Sequence, residues 1–329
     1  MVQSPFPTYT ELPQHEGSLY PDAWGVFGEE DRVGTLNHLT PQRVLNAKNS
    51  IRTGQVFNLN LSLNFFTPAL ISHRGLVQHE IFGLNEFHRD ERLDSFFTQA
   101  STQIDSLRHF AHPDRGFYNG VSGDILDTEH GELSIHNVAE RGITGRGILI
   151  DVARYRESIG RPINTMSDEQ LSVEDLDNTL AYQGTTLEPG DILLLRTGWI
   201  ADYRKGRHVP GSPVLSAGLA QSEEIAAWLW NSQAAMIAAD NLAVEAWPAN
   251  RVNLPTIAEQ EGRMEPSSHT GMLHRLLIGL LGFTLGELWD LDELGDACAA
   301  SGHYDVFLTA EPLNLVGGAG SPANALAIV

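Results

Sequence analysis

The sequence predicts an α/β protein, on three observations. Residues 147–151, 190–196 and 236–240 are short apolar runs bounded by glycine or polar residues, and they read as strands buried on both faces. Stretches with helical spacing and capping residues alternate with them. No repeat, low-complexity tract or long linker divides the chain, so one domain over residues 24–329 is expected, preceded by an arm at residues 1–23.

The elements follow in order. Pro5, Pro7, Pro13 and Pro21 mark a loose N-terminal arm, of the kind that lies across a partner subunit. Thr40 caps a helix whose first turn holds Pro41 and which runs to about residue 51. Residues 56–61 alternate apolar and polar side chains, a strand signal. Ser172 and Asp175 form a capping box, with Asp in place of the usual Glu. Further helices are expected over residues 222–233, 269–281 and 291–301, the last stopped by Gly302.

Composition excludes several classes of function. Hydrophobic residues make up 42% and charged residues 19%, so the chain is not disordered. No apolar run reaches the roughly 18 residues of a membrane span, and the N-terminus does not read as a secretory signal. The net charge of −21 repels nucleic acids and anionic membranes, leaving a small molecule as the expected partner. Cys298, the sole cysteine, permits no internal disulfide and fits a reducing, cytoplasmic setting; among alanines on a helix it reads as buried and inert. The nucleophile elbow, the phosphate loop and His-Glu-x-x-His are all absent. Residues 317–322 are glycine-rich but lead into Pro322 and read as a tight turn.

The chemistry concentrates in residues 98–112, TQASTQIDSLRHFAH. Taken as a strand, this segment places Gln99, Ser101, Gln103 and Asp105 on one face. His109 and His112 follow, then Tyr118 and Asn119. A carboxylate, two imidazoles, a phenol and an amide so close together are the residue types of acid–base catalysis, or of an exposed edge strand.

The segment resembles the signature of the cyclase family that includes kynurenine formamidase and isatin hydrolase, His-x-Gly-Thr-His-x-Asp-x-x-x-His. Gln99 and Gln103 stand at its two early His, Ser101 at its Gly, Thr102 at its Thr, Asp105 at its Asp and His109 at its last His. The resemblance extends through residues 142–151, 190–199, Asp240 with Asn241 and Glu245, His274 with Glu287, and residues 312–322. It implies a mixed, barrel-like curved β-sheet flanked by helices, of the swivelling β/β/α type, in a homodimer or higher homo-oligomer. The implied reaction is hydrolysis of an amide, lactam or lactone without a covalent intermediate. A divalent metal, Mn²⁺ or Zn²⁺, is held in such proteins by the early His pair and the Asp. The replacement of both His by Gln places this chain with a longer branch that carries Gln-x-Asp.

Three readings result. In the first, Asp105, Gln103, His274 and Glu287 hold a divalent ion, His109 transfers protons with His112 as its alternate, and Trp24, Phe27, Tyr118, Asn119 and Gln99 bind a small aromatic or polyketide-like substrate. Glutamine offers only a neutral oxygen, which favours Mn²⁺ or Mg²⁺ over Zn²⁺. In the second, no metal takes part, and Asp105 and His109 perform a cyclisation, dehydration or isomerisation with the glutamines as oxyanion donors. In the third, the chain is a non-catalytic binding protein.

Overall fold

The apolar runs become the middle of one sheet. The structure, a computed structural model, describes residues 6–329. Its strands are β1 (Val56–Asn58), β2 (Gln78–Asn85), β3 (His88–Asp94), β4 (Gln103–Asp105), β5 (Ile143–Asp151), β6 (Gln170–Leu171), β7 (Ile192–Arg196), β8 (Gly218–Leu219), β9 (Met236–Ala239), β10 (Thr284–Glu287), β11 (Asp305–Ala310), β12 (Gly320–Pro322) and β13 (Leu326–Ile328). Nine of them form a strongly curled mixed sheet in the order β1-β13-β11-β5-β7-β9-β10-β4-β12. The central four, β5-β7-β9-β10, are parallel, and every pairing outside them is antiparallel.

Strands β7 and β9 and the second half of β5 carry apolar runs because each face meets its own core. Ile148, Leu193, Leu195 and Ile237 belong to one buried cluster, together with Leu176 and Ile225 from the helices Val173–Gln183 and Glu223–Asn231. Leu149, Ile192, Leu194 and Met236 belong to another, with Leu294 and Cys298 from the helix Asp292–Ser301. A strand buried on one face only would alternate with polar residues. Cys298 is fully buried, and burial pushes its thiol up to about 12.

The predicted caps are present. Thr40 accepts from Arg43 N ahead of the helix Pro41–Ala47, which tightens to a 3₁₀ turn at Lys48–Ser50. Ser172 and Asp175 make the reciprocal capping box.

Four expectations need correction. The strand expected from Gln99 spans only Gln103–Asp105, because Thr102 turns inward: its hydroxyl accepts from Leu61 N at 2.9 Å and donates to Leu288 O at 2.6 Å. The helix expected over residues 269–281 is a π-helix, Arg275–Leu280, preceded by turns. The glycine-rich segment is in part a strand, β12, paired with β4. The arm is not loose: Tyr9 N bonds Asn231 Oδ1 at 2.8 Å, Trp230 Nε1 bonds Pro7 O at 2.9 Å and Ala23 N bonds Leu280 O at 2.9 Å. Residues 6–23 therefore pack on their own subunit, which buries the arm's apolar side chains such as Tyr9, Leu12 and Tyr20; Pro5 lies outside the described residues. By contrast, the hairpin β2–β3 stands away from the body with every residue exposed.

Candidate active site

The site grows from the pairing of β4 with β10. Their register sets Gln103 against Glu287 and Asp105 against Leu285. Paired residues point to the same face, and so do residues two apart on a strand, so Gln103, Asp105 and Glu287 converge. On the other side Gly320 of β12 pairs with Asp105. A Cβ at Gly320 would come 2.8 Å from Gln99 Cγ, so glycine there lets the Gln99 side chain lie over the carboxylate. Gln99 thus reaches the site from a turn.

The two glutamines act as donors. Gln99 Nε2 donates to Asp105 Oδ1 at 2.7 Å and lies 3.3 Å and 3.4 Å from the ring nitrogens of His109. Its two N–H groups therefore bridge the carboxylate and the imidazole. Gln103 Nε2 donates to Glu287 Oε2 at 2.7 Å and faces Asp105 Oδ1 at 3.4 Å, while its Oε1 faces Arg74 Nη1 at 3.4 Å. Turning the amide over would set its oxygen against carboxylates and its NH₂ against a guanidinium. The oxygen of Gln103, expected as a metal ligand, here faces Arg74, and its amide orients the carboxylates.

A further contribution is Glu245, in the loop that follows β9. Its carboxylate accepts from Leu273 N at 2.7 Å, His274 N at 3.0 Å and His274 Nδ1 at 2.7 Å. It caps the approach to the π-helix and pins the imidazole, whose Nε2 then faces Glu287 Oε1 at 3.0 Å. Burial disfavours the charged ring, but hydrogen bonds to Glu245 and Glu287 outweigh it and raise His274 to about 10. Burial, followed by the adjacent Asp105, raises Glu287 to about 7.

Asp105, His274 and Glu287 are all buried, and one ligand atom from each lies within 4.8 Å of the others. Asp105 Oδ2 is buried with no hydrogen-bond partner. An orphaned carboxylate oxygen at this depth is costly unless something cationic meets it, so the donor set fits a divalent ion. Such a site also has the carboxylate–imidazole support that metal-binding histidines use.

Protonation gives this arrangement a pH signature. An imidazole raised above its unfolded value of 6.5 stabilises the fold fully below that pH and stops doing so as pH rises through about 10. Glu287 acts in the same direction, since its folded form keeps a proton that the unfolded chain, at 4.5, has lost. The chelated protein should therefore lose stability as pH rises through this window. A cation replaces those protons, so the rise in thermal midpoint given by Mn²⁺ should be larger at about pH 9 than at about pH 6. A rise that is flat or falls with pH would remove this cluster as the ion's site.

His109 lines the adjoining cleft, which has a volume of about 550 Å³. Burial lowers its affinity for a proton, opposed by Asp105. It is thus a neutral ring with a lone pair, held 6.4 Å centre to centre from His274. Phe110, Trp247, Met272 and Leu242 give the cleft its apolar wall, and His73, Arg74 and His269 its polar rim.

Several expected site residues lie elsewhere. Ser101 lines a separate cavity and donates to Ser62 O at 3.3 Å. His112 packs edge-on to Tyr20, with Nδ1 accepting from Asp114 N at 3.2 Å. Trp24, Phe27, Tyr118 and Asn119 do not line the cleft. Trp24 Nε1 bonds Gly279 O at 2.9 Å, Phe27 packs against Phe6, His38 and Trp230, and Tyr118 OH bonds Asp31 Oδ2 at 3.1 Å. Asn119 bonds Gly25 N at 2.9 Å and Gly28 O at 3.0 Å. Trp24, Tyr118 and Asn119 use their polar ends, and Phe27 its ring, to seal residues 24–31 against the body. The cleft aromatics Phe110 and Trp247, together with Arg74, His269 and the role of Glu245, escape sequence reasoning; Glu245 alone left a signal, in the resemblance that spans Asp240, Asn241 and Glu245.

The fold and this cluster define an α/β protein organised around a buried carboxylate–imidazole centre. The chain belongs to the Cyclase family, whose model matches residues 45–246. A solved structure of a novel cyclase is 28% identical, with a TM-score of 0.78, covering 94% of this chain and 99% of that one. Isatin hydrolase A from Labrenzia aggregata shares the fold at 18% identity and a TM-score of 0.57, covering 90% and 99%. Isatin hydrolase A from Ralstonia solanacearum does so at 19% and 0.54, covering 88% and 97%. No curated protein matches the chain. No helix among the described residues is long and apolar enough to cross a membrane.

Proposed function

We propose that this chain is a metal-assisted hydrolase of an amide, lactam or lactone carbonyl in a small aromatic or polyketide-like substrate. One observation carries the reading: the partnerless Asp105 Oδ2 beside His274 and Glu287, next to a cleft holding a neutral imidazole. Asp105, His274 and Glu287 would hold a divalent ion, which would supply Lewis-acid polarisation of the carbonyl and a more acidic water. The chain's own residues do the rest. His109 takes the proton of the attacking water and returns it to the leaving nitrogen or oxygen. Gln99 holds Asp105 and His109 in one arrangement, and Glu245 keeps the His274 Nδ1 proton in place so that Nε2 faces the cluster. Phe110 and Trp247 exclude water around the scissile bond.

A homodimer and a cytoplasmic location belong to the same reading. The hairpin side chains Ile81, Leu84 and Phe87, at 62%, 59% and 90% exposure, offer apolar surface for a second subunit to cover.

A metal-free cyclisation, dehydration or isomerisation remains the second reading. What favours it is that both glutamines present N–H groups rather than ligand oxygens. Chelation separates the two. We expect it to abolish hydrolysis across a panel of N-acyl and lactone compounds and to lower the thermal midpoint, with Mn²⁺ restoring both. Undiminished turnover with less than about a tenth of an equivalent of metal by elemental analysis decides for the second reading.

A further inference from the structure

Acidic residues outnumber Lys and Arg by 42 to 21, and many arginines are spent in ion pairs. Arg74 is an exception in a telling place. It ends the short 3₁₀ turn Ser72–Arg74 and lines the cleft beside Glu287. Its Nη1 donates to Gln99 O and faces Gln103 Oε1 at 3.4 Å. Among the described residues it has no carboxylate at ion-pair distance, and its Nε and Nη2 donate to no protein atom.

The cleft is also far less acidic than the molecule as a whole. Glu287 is the one acid lining it, and Glu287 belongs to the metal cluster. The other ionisable lining groups are Arg74 and four imidazoles, His73, His109, His269 and His274. Guanidinium donors left free in a partly enclosed, apolar-walled cleft match the two oxygens of one carboxylate in a fork.

We propose that Arg74 forms an anion subsite, and that the substrate carries a carboxylate held there while its scissile carbonyl faces Asp105 and His109. This rests on the hydrolase reading of the cleft, and it narrows the substrate to an anionic amide, lactam or lactone with an apolar body seated on Phe110 and Trp247. The competing role for Arg74 is a brace that ties residues 72–74 to Gln99 and Gln103.

Phenylacetate and its neutral amide, phenylacetamide, separate the two roles. Titration calorimetry on the full chain, as purified and again after chelation, should show phenylacetate binding roughly tenfold tighter, the size of a charge-assisted hydrogen-bonded contact. R74Q should remove that preference and leave phenylacetamide binding unchanged. A brace predicts loss of both ligands together, or of neither. Should R74Q fail to fold, R74K decides: a retained preference supports the subsite, and phenylacetamide binding without one overturns it. A preference that vanishes on chelation lies with a metal and also overturns it. The hydrolase reading is judged separately. A lost preference beside intact hydrolysis sinks only the subsite, whereas a surviving preference beside no hydrolysis of any anionic amide or lactone sinks only the hydrolase.

Discussion

Replacing His109 by Ala should lower turnover by roughly 10²–10⁴ while the fold and substrate affinity are kept, the usual loss when a general acid–base is removed. The ring lines the cleft, and Gln99 Nε2 lies within 3.4 Å of both of its nitrogens. Burial keeps it neutral and thus able to accept a proton, while Asp105 steadies the cation that forms. The loss should fall on kcat rather than KM, because a group that only transfers protons adds little to ground-state binding. Added imidazole should return part of the lost rate, which a merely structural role would not allow. Turnover within a factor of a few of the parent would remove His109 from the chemistry.

Glu245→Ala should give the largest loss of stability at the site, about 3–5 kcal/mol, the range for breaking one side of a buried charged pair. The carboxylate is 1% exposed and accepts three buried donors, Leu273 N, His274 N and His274 Nδ1. Without it all three are unpaired at the start of the π-helix. Metal affinity should also fall by roughly 10–100-fold, the effect of losing the group that orients an imidazole ligand. Glu245→Gln keeps one acceptor and should recover part of the stability, yet not the affinity, because its NH₂ conflicts with the His274 Nδ1 proton. Denaturant unfolding of the chelated protein and a Mn²⁺ titration read the two effects apart. Parent-like values in both would show that His274 orients itself without Glu245.

How much of this was legible in the sequence depends on the reach of each interaction. Three of the four central parallel strands, β5, β7 and β9, announce themselves through apolar runs that two cores demand, whereas β10, Thr284–Glu287, is half polar and carries no such signal. Capping by Thr40 and Ser172 is local, and it reads directly. Asp105 stands out through its polar neighbours, although Gln99 reaches it from a turn and not from the same strand. Trp24, Tyr118 and Asn119, expected at the substrate, do not line the cleft, because they are residue types suited equally to holding a ligand and to sealing a segment. What separates the two uses is a partner such as Gly279 O or Asp31, distant in sequence. Arg74 and the role of Glu245 were missed for the same reason: each meets its partner, Gln103 or His274, across 29 residues.

The placement of β13 bears on how the chain comes to be folded. Residues Leu326–Ile328 lie between β1 and β11, with Ala327 paired to Phe57 on one side and Leu308 on the other. During synthesis, β1 emerges from the ribosome some 270 residues before the strand it must join. Until then its ladder groups have no strand to pair with, and Phe57 and Leu59 await the core they later enter. Such long-range pairing makes closure of the sheet late and slow. The nascent chain must therefore keep an unpaired edge, the feature most prone to joining other chains, out of contact until the last strand has been made.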